Sequence, residues 1–176
     1  VKKPEYEVRK RALIDRYAYM FAGHMVGLIS ASHEEKLAYA VDIEPGWFEI
    51  IERLCRDIDA VVPTALKRAD GKGFHVTQVK EKFGTLRFYW GVGIGPSRPS
   101  RINTRPPGDN SISTRDAEDP HEPWRDNVFR LIDGATTLSG ETCFSCGRPA
   151  RLKRDARGWM YTSCDAHEGR RERFDF

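Results

Sequence analysis

CFSCGRPARLKRDARGWMYTSCDAH, residues 143–167, is the stretch on which the reading of the fold turns. It holds metal-ligand residue types at two short spacings, Cys143 with Cys146 and Cys164 with His167. A CxxC turn points two sulfurs the same way, and zinc takes four tetrahedral nitrogen or sulfur ligands. The two pairs therefore predict one Cys3His zinc site. Gly147, directly after the second cysteine, lets the backbone fold back and direct N–H groups at sulfur. Between the pairs, Arg151 to Lys153 and Trp159 to Thr162 flank an Asp155-Ala156-Arg157-Gly158 turn, a hairpin pattern. Asp165-Ala166-His167-Glu168 reads as a first helical turn, with its acids where the helix dipole favours them.

Knuckle, hairpin and a helix carrying the last ligands is an order that resembles the treble-clef class of zinc fingers. Residues 141–176 are thus expected to form a zinc-binding lobe. Three thiolates and one imidazole fill the tetrahedron and leave no position for water, which makes the zinc structural and the protein non-enzymatic. Two catalytic alternatives meet specific absences. A ββα-metal nuclease needs histidines on the hairpin, and residues 148–163 contain none. A deaminase needs a glutamate beside a histidine ligand ahead of the CxxC pair; Glu168 follows His167, but the pairs run in the opposite order. A metal-dependent hydrolase remains the weakest reading.

The hairpin is basic. Arg148, Arg151, Lys153, Arg154 and Arg157 stand against Asp155, with Trp159 and Tyr161 adjoining. Phosphates on the cations and bases on the rings are what a nucleic-acid contact uses. The same cations would also offset the negative charge of a Cys3His zinc site.

Upstream lies the body that carries this lobe. Apolar residues from Tyr6 to Leu28 recur at helical steps, interleaved with Arg9, Lys10, Arg11 and Arg16, which predicts one amphipathic helix with a basic outer face. Ser32 and Glu35 have capping-box spacing for a short helix through Tyr39. After the Pro45-Gly46 break, Trp47, Phe48, Ile51, Leu54, Cys55 and Ile58 make the next apolar stripe, ended by Pro63. Cys55 reads as a packed apolar group, with no basic neighbour at helical spacing to activate it. The pattern then turns extended: Phe74 to Lys80 and Thr85 to Trp90 predict two strands around a Glu81-Lys82-Phe83-Gly84 connection. Alternation places Leu86, Phe88 and Trp90 toward the core and Arg87 and Tyr89 on an outer face, where they are binding candidates. Residues 91–123 hold six of the ten prolines and few apolar side chains, the mark of a flexible insertion. Helical spacing returns from Trp124 to Leu138, with Gly140 as the stop.

The whole is expected to be α+β: helices packed on a β-hairpin-centred antiparallel sheet, with residues 1–90 and 124–140 as the core and a treble-clef-like lobe behind it. With 176 residues, 39% of them apolar, there is material for one domain and an appended module. A net charge of +3 is too mild to argue nucleic acid by itself. No apolar run is long enough for a membrane span, none near Val1 resembles a secretory signal, and the cysteine pattern does not fit a disulfide framework. These features point to a cytoplasmic protein with reduced thiols and no membrane association. Because the sequence begins with Val1, a preceding segment is expected.

KEKFGTLRFY at residues 80–89, CFSCG at 143–147 and GWMYTSCDAH at 158–167 resemble, together, a group of small uncharacterised bacterial and phage-borne proteins. The resemblance covers roughly residues 46–90 and 124–168 and departs over the long 91–123 segment. It implies Cys143, Cys146, Cys164 and His167 as zinc ligands and a bacterial or phage origin, and it implies no activity. The function expected is a zinc-stabilised binding protein that contacts nucleic acid or a host or bacterial protein through Arg151, Lys153, Arg154, Arg157, Arg87 and Tyr89. An inhibitor or immunity protein acting on a protein target is the alternative.

Overall fold

Two hydrophobic periods, helical over residues 48–61 and 123–139 and alternating over 74–92, converge on one core. The computed structural model describes residues 3–27, 41–93 and 122–168. Two helices, α1 (Lys3–Arg16) and α2 (Ala18–Gly27), stand where one was expected. The break falls at Tyr17, where the Met20 N–H reaches the Tyr17 carbonyl at 2.8 Å, the tighter step of a 3₁₀ turn. Leu13 and Ile14 before the break and Met20 and Phe21 after it are all buried. The basic face of α1 is engaged in part: Arg11 and Arg16 are exposed, whereas Arg9 and Lys10 pack on the body. Arg9 pairs with Glu52 at 2.9 Å and lies over the Phe48 ring, while Lys10 is buried over Tyr6 and pairs with Glu7 at 3.1 Å.

A two-residue strand, β1 (Val41–Asp42), and a 3₁₀ turn at Pro45–Trp47 lead into α3 (Phe48–Val61). This helix buries Phe48, Ile51, Leu54, Cys55 and Ile58, as the stripe predicts. Burial, and after it the charge of Glu52, pushes the Cys55 thiol up to about 12, so it is a core group and no nucleophile.

The hairpin of β2 (Phe74–Lys82) and β3 (Thr85–Val92) is antiparallel, whereas β1 pairs with β2 in parallel through Val41 and Val79. The sheet, in order β1-β2-β3, is thus mixed rather than wholly antiparallel. Two residues are too few to show alternation in a sequence. The hairpin connection is also shorter than expected. Lys82 pairs with Thr85, and only Phe83 and Gly84 turn, with φ of 55° and 76°. Positive φ at both positions is the type I′ geometry, whose twist matches that of the strands. For Phe83 this conformation costs about 1 kcal/mol or more. The Glu81 carboxylate holds the turn by accepting the Gly84 N–H at 2.6 Å.

Phe74, Val76, Val79, Leu86, Phe88 and Trp90 are buried beside α4 (Pro123–Ser139). Phe74 stacks on Trp90 with centroids 5.1 Å apart, and Trp124 and Phe129 of α4 lie 5.8 and 5.5 Å from Trp90. The expectation that Arg87 is exposed is overturned. Arg87 is 4% exposed, Thr85 beside it is buried, and its Nη1 donates to Thr85 Oγ1 at 2.7 Å and the Leu86 carbonyl at 3.1 Å. Burial lowers the pKa of its guanidinium. Alternation identified the two faces of β3 correctly, but both are covered at this level. Tyr89 is half-buried, with Lys80 Nζ 5.5 Å from its ring centroid.

α4 also fastens β3 from the side. Ser139 Oγ accepts the Leu86 N–H at 2.8 Å and donates to the Thr136 carbonyl at 2.6 Å, and Thr136 Oγ1 donates to the Leu86 carbonyl at 3.2 Å. Ser139→Ala should leave a buried N–H without a partner and cost about 1–3 kcal/mol. Urea denaturation would show this as a lower midpoint with an unchanged slope. α4 stops at Gly140 as expected, though in right-handed geometry, with the Gly140 N–H on the Thr137 carbonyl at 3.0 Å. The helix expected at Ser32–Tyr39 lies outside the described residues, as does nearly all of the proline-rich insertion; β3 runs on to Val92 and α4 begins at Pro123. Among the described residues no helix is long and apolar enough to cross a membrane.

Candidate metal centre

Short hydrogen bonds shape the C-terminal stretch. Gly147, with φ of 74°, returns its N–H to the Cys143 carbonyl at 2.9 Å, and the Cys143 N–H reaches the Arg148 carbonyl at 2.8 Å. This closes the knuckle that the CxxC spacing predicts. β4 (Arg151–Arg154) and β5 (Met160–Ser163) come next as an antiparallel pair. Asp155 Oδ1 accepts the N–H groups of Arg157 at 2.8 Å and Trp159 at 2.9 Å, and Gly158 takes φ of 85° to complete the turn. The Phe144 N–H donates to the Thr162 carbonyl at 3.1 Å, tying the knuckle to β5. A 3₁₀ turn at Asp165–His167 then brings the last candidate ligand back, its His167 N–H on the Cys164 carbonyl at 3.0 Å. The treble-clef order holds as far as His167. A 3₁₀ turn stands where the first α-helical turn was expected, and the helix expected to continue past residue 168 lies outside the described residues.

The four side chains meet. Cys146 Sγ is 3.7 Å from Cys164 Sγ, while His167 Nδ1 is 3.7 Å from Cys143 Sγ and 3.2 Å from Cys164 Sγ. All four ligand atoms lie within 4.8 Å of one another, an arrangement that could hold a metal ion. All three cysteines are free of disulfides. Burial opposes ionisation of Cys143, but the backbone N–H groups of Cys164, Cys146 and Ser145 outweigh it and hold that thiol below its ordinary value. Cys164 is pushed the other way, by burial and then by the Cys143 and Cys146 sulfurs. Three sulfurs this close resist becoming thiolates together unless a cation sits among them.

The centre is joined to the body at two glycines. Gly46 donates its N–H to the Phe144 carbonyl at 2.8 Å, and Trp47 Nε1 donates to the Thr142 carbonyl at 2.7 Å. A side chain at Gly46 would run into the Cys143 carbonyl and lie 2.6 Å from both Gly147 N and Phe144 O. At the second junction Thr162 Oγ1 donates to the Gly84 carbonyl at 2.6 Å, and a Cβ on Gly84 would meet Leu152 and lie 3.0 Å from the Tyr161 backbone. The lobe is thus bolted to the start of α3 and to the β2–β3 turn. In the sequence, Gly46 reads only as a helix breaker and Gly84 only as a turn residue.

The binding candidates divide. Lys153 pairs with Asp165 at 3.2 Å and Glu168 at 3.3 Å, which makes it a brace for the ligand-bearing turn. Arg148, Arg151, Arg154 and Arg157 are exposed and have no ion pair among the described residues. In the β4–β5 register, Arg151 and Lys153 lie opposite Ser163 and Tyr161, while Arg154 lies opposite Met160 on the other face. Trp159 is 58% exposed. Arg87 is buried in the sheet and does not belong with them. No protein-family profile, no curated protein and no solved structure matches the chain.

Proposed function

We propose that this chain is a zinc-stabilised, non-enzymatic binding protein whose basic β4–β5 hairpin contacts nucleic acid. The observation that carries the reading is the pairing of a closed Cys3His cluster with exposed arginines that have no ion pair among the described residues. Zinc bonds of about 2.3 Å to sulfur and about 2.0–2.1 Å to nitrogen give tetrahedral edges of about 3.8 Å between sulfurs and about 3.6 Å from sulfur to nitrogen. The separations of 3.7 Å and of 3.2–3.7 Å support that ion. With every corner taken by protein, the metal would hold the fold and activate no water. Lys153 is spent on Asp165 and Glu168, so the outward charge rests on Arg148, Arg151, Arg154 and Arg157.

Elemental analysis should find close to one zinc per chain, and a ratio near zero in unchelated protein would overturn the site. A labelled oligonucleotide should bind at low salt and be released steeply as salt rises. The paired substitution Arg154→Glu with Arg157→Glu should weaken that binding at least tenfold with the zinc content unchanged. If these arginines only balanced the charge of the centre, zinc content would fall and oligonucleotide binding would stay as it was.

A further inference from the structure

Phe83 occupies the first position of a type I′ turn, where asparagine or glycine is the favoured residue, and it does so with φ of 55° and 54% of its surface exposed. Core packing therefore does not account for an aromatic ring in a conformation that a bulky residue avoids. Lys82 lies beside it, Nζ 5.2 Å from the ring centroid. The next residue, Gly84, touches the second hairpin through Thr162 and the Tyr161 backbone, so the β2–β3 turn lies against the strands of that hairpin. On the face of β4–β5 that meets Gly84, Leu152 and Thr162 are followed along the strands by Arg154 and Met160. Arg157 is exposed at the hairpin tip, and the exposed Trp159, one step before Met160, falls by the same alternation with Tyr161 on the opposite face. The acid within the tip, Asp155, turns its Oδ1 to the N–H groups of Arg157 and Trp159.

We infer that the β2–β3 turn and the adjoining face of the β4–β5 hairpin form one site for single-stranded nucleic acid, with Phe83 stacking on an unpaired base and Lys82 and Arg154 meeting the phosphates beside it. The inference rests on the nucleic-acid reading above and adds the kind of strand and a contact from outside the basic hairpin. Exposed rings flanked by cations bind bases by their faces, and base faces are accessible only when the bases are unpaired. A duplex would meet the cations and leave the ring idle.

Phe83→Asn separates this role from a structural one, because asparagine suits the turn that phenylalanine strains. The variant should melt no lower than the parent, yet bind a labelled short oligothymidylate about fivefold or more weakly in fluorescence anisotropy. Its salt dependence should match the parent's, since no phosphate contact is lost. Trp159→Ala, on the opposite face of the hairpin, should leave that affinity unchanged, and the parent should prefer the oligothymidylate over a duplex of equal length. Parental affinity in Phe83→Asn, or equal affinity for duplex and single strand, would overturn the site while leaving the nucleic-acid reading in place. Absence of binding to either form at low salt would sink both.

Discussion

Cys143→Ser should empty the proposed zinc centre and loosen everything bolted to it. Cys143 is buried, and its backbone closes the knuckle through both Gly147 and Arg148. If the centre holds structural zinc as proposed, the ion is worth on the order of 10 kcal/mol to the residues that bind it. Whole domains are stable by only about 5–15 kcal/mol, so its loss is of the same size as the stability itself. Even a net loss of about 4 kcal/mol would lower the melting temperature by about 10 °C in a chain of this length. Hydrogen exchange should show lost protection over residues 141–168 and also at Gly46, whose N–H donates to the Phe144 carbonyl. A variant that keeps a full complement of metal and the parental melting temperature would refute the assignment of Cys143 as a ligand.

Gly46→Ala should injure the same centre without touching a ligand. The added methyl would press on the Cys143 carbonyl, the Phe144 carbonyl and the Gly147 nitrogen. All three are backbone atoms, so no side-chain rotation relieves the contact. The knuckle must shift away from α3 and give up the hydrogen bonds to Gly46 and Trp47. We expect a loss of about 3 kcal/mol or more, in the range reserved for buried steric conflict, together with faster metal release to a chelator. Gly134→Ala is the control. It sits within α4 with open space where the methyl would go, and it should stabilise by about 1 kcal/mol through helix propensity. Equal metal retention in the two variants would show that the junction at Gly46 does not support the centre.

The Cys3His cluster was legible in the sequence because each pair is local, two sulfurs in one tight turn and a sulfur with a histidine in another. β2 and β3 were legible because alternation survives in Leu86, Phe88 and Trp90. What the sequence hid was long-range. Alternation sorts Arg87 from Leu86 but does not say that Arg87 is buried, its guanidinium turned to Thr85 and the Leu86 carbonyl. The contact from Trp47 to Thr142 spans 95 residues and leaves no local trace beyond a proline and a glycine. The basic hairpin looks like one unit when its charges are counted, whereas the pleat sends Arg151 and Arg154 to opposite faces and Lys153 turns to Asp165 and Glu168.

The grip of α4 on Leu86 bears on how partners can approach. β3 is the last strand of its sheet, and an outer strand ordinarily offers its backbone to any extended peptide that can add to it. Here Ser139 and Thr136 already occupy both backbone groups of Leu86, at the turn end of the strand. Strand addition is closed at that point, against a second copy of the chain as much as against a foreign peptide. A partner is left to engage this end of the molecule through side chains at the hairpin tips rather than by extending the sheet.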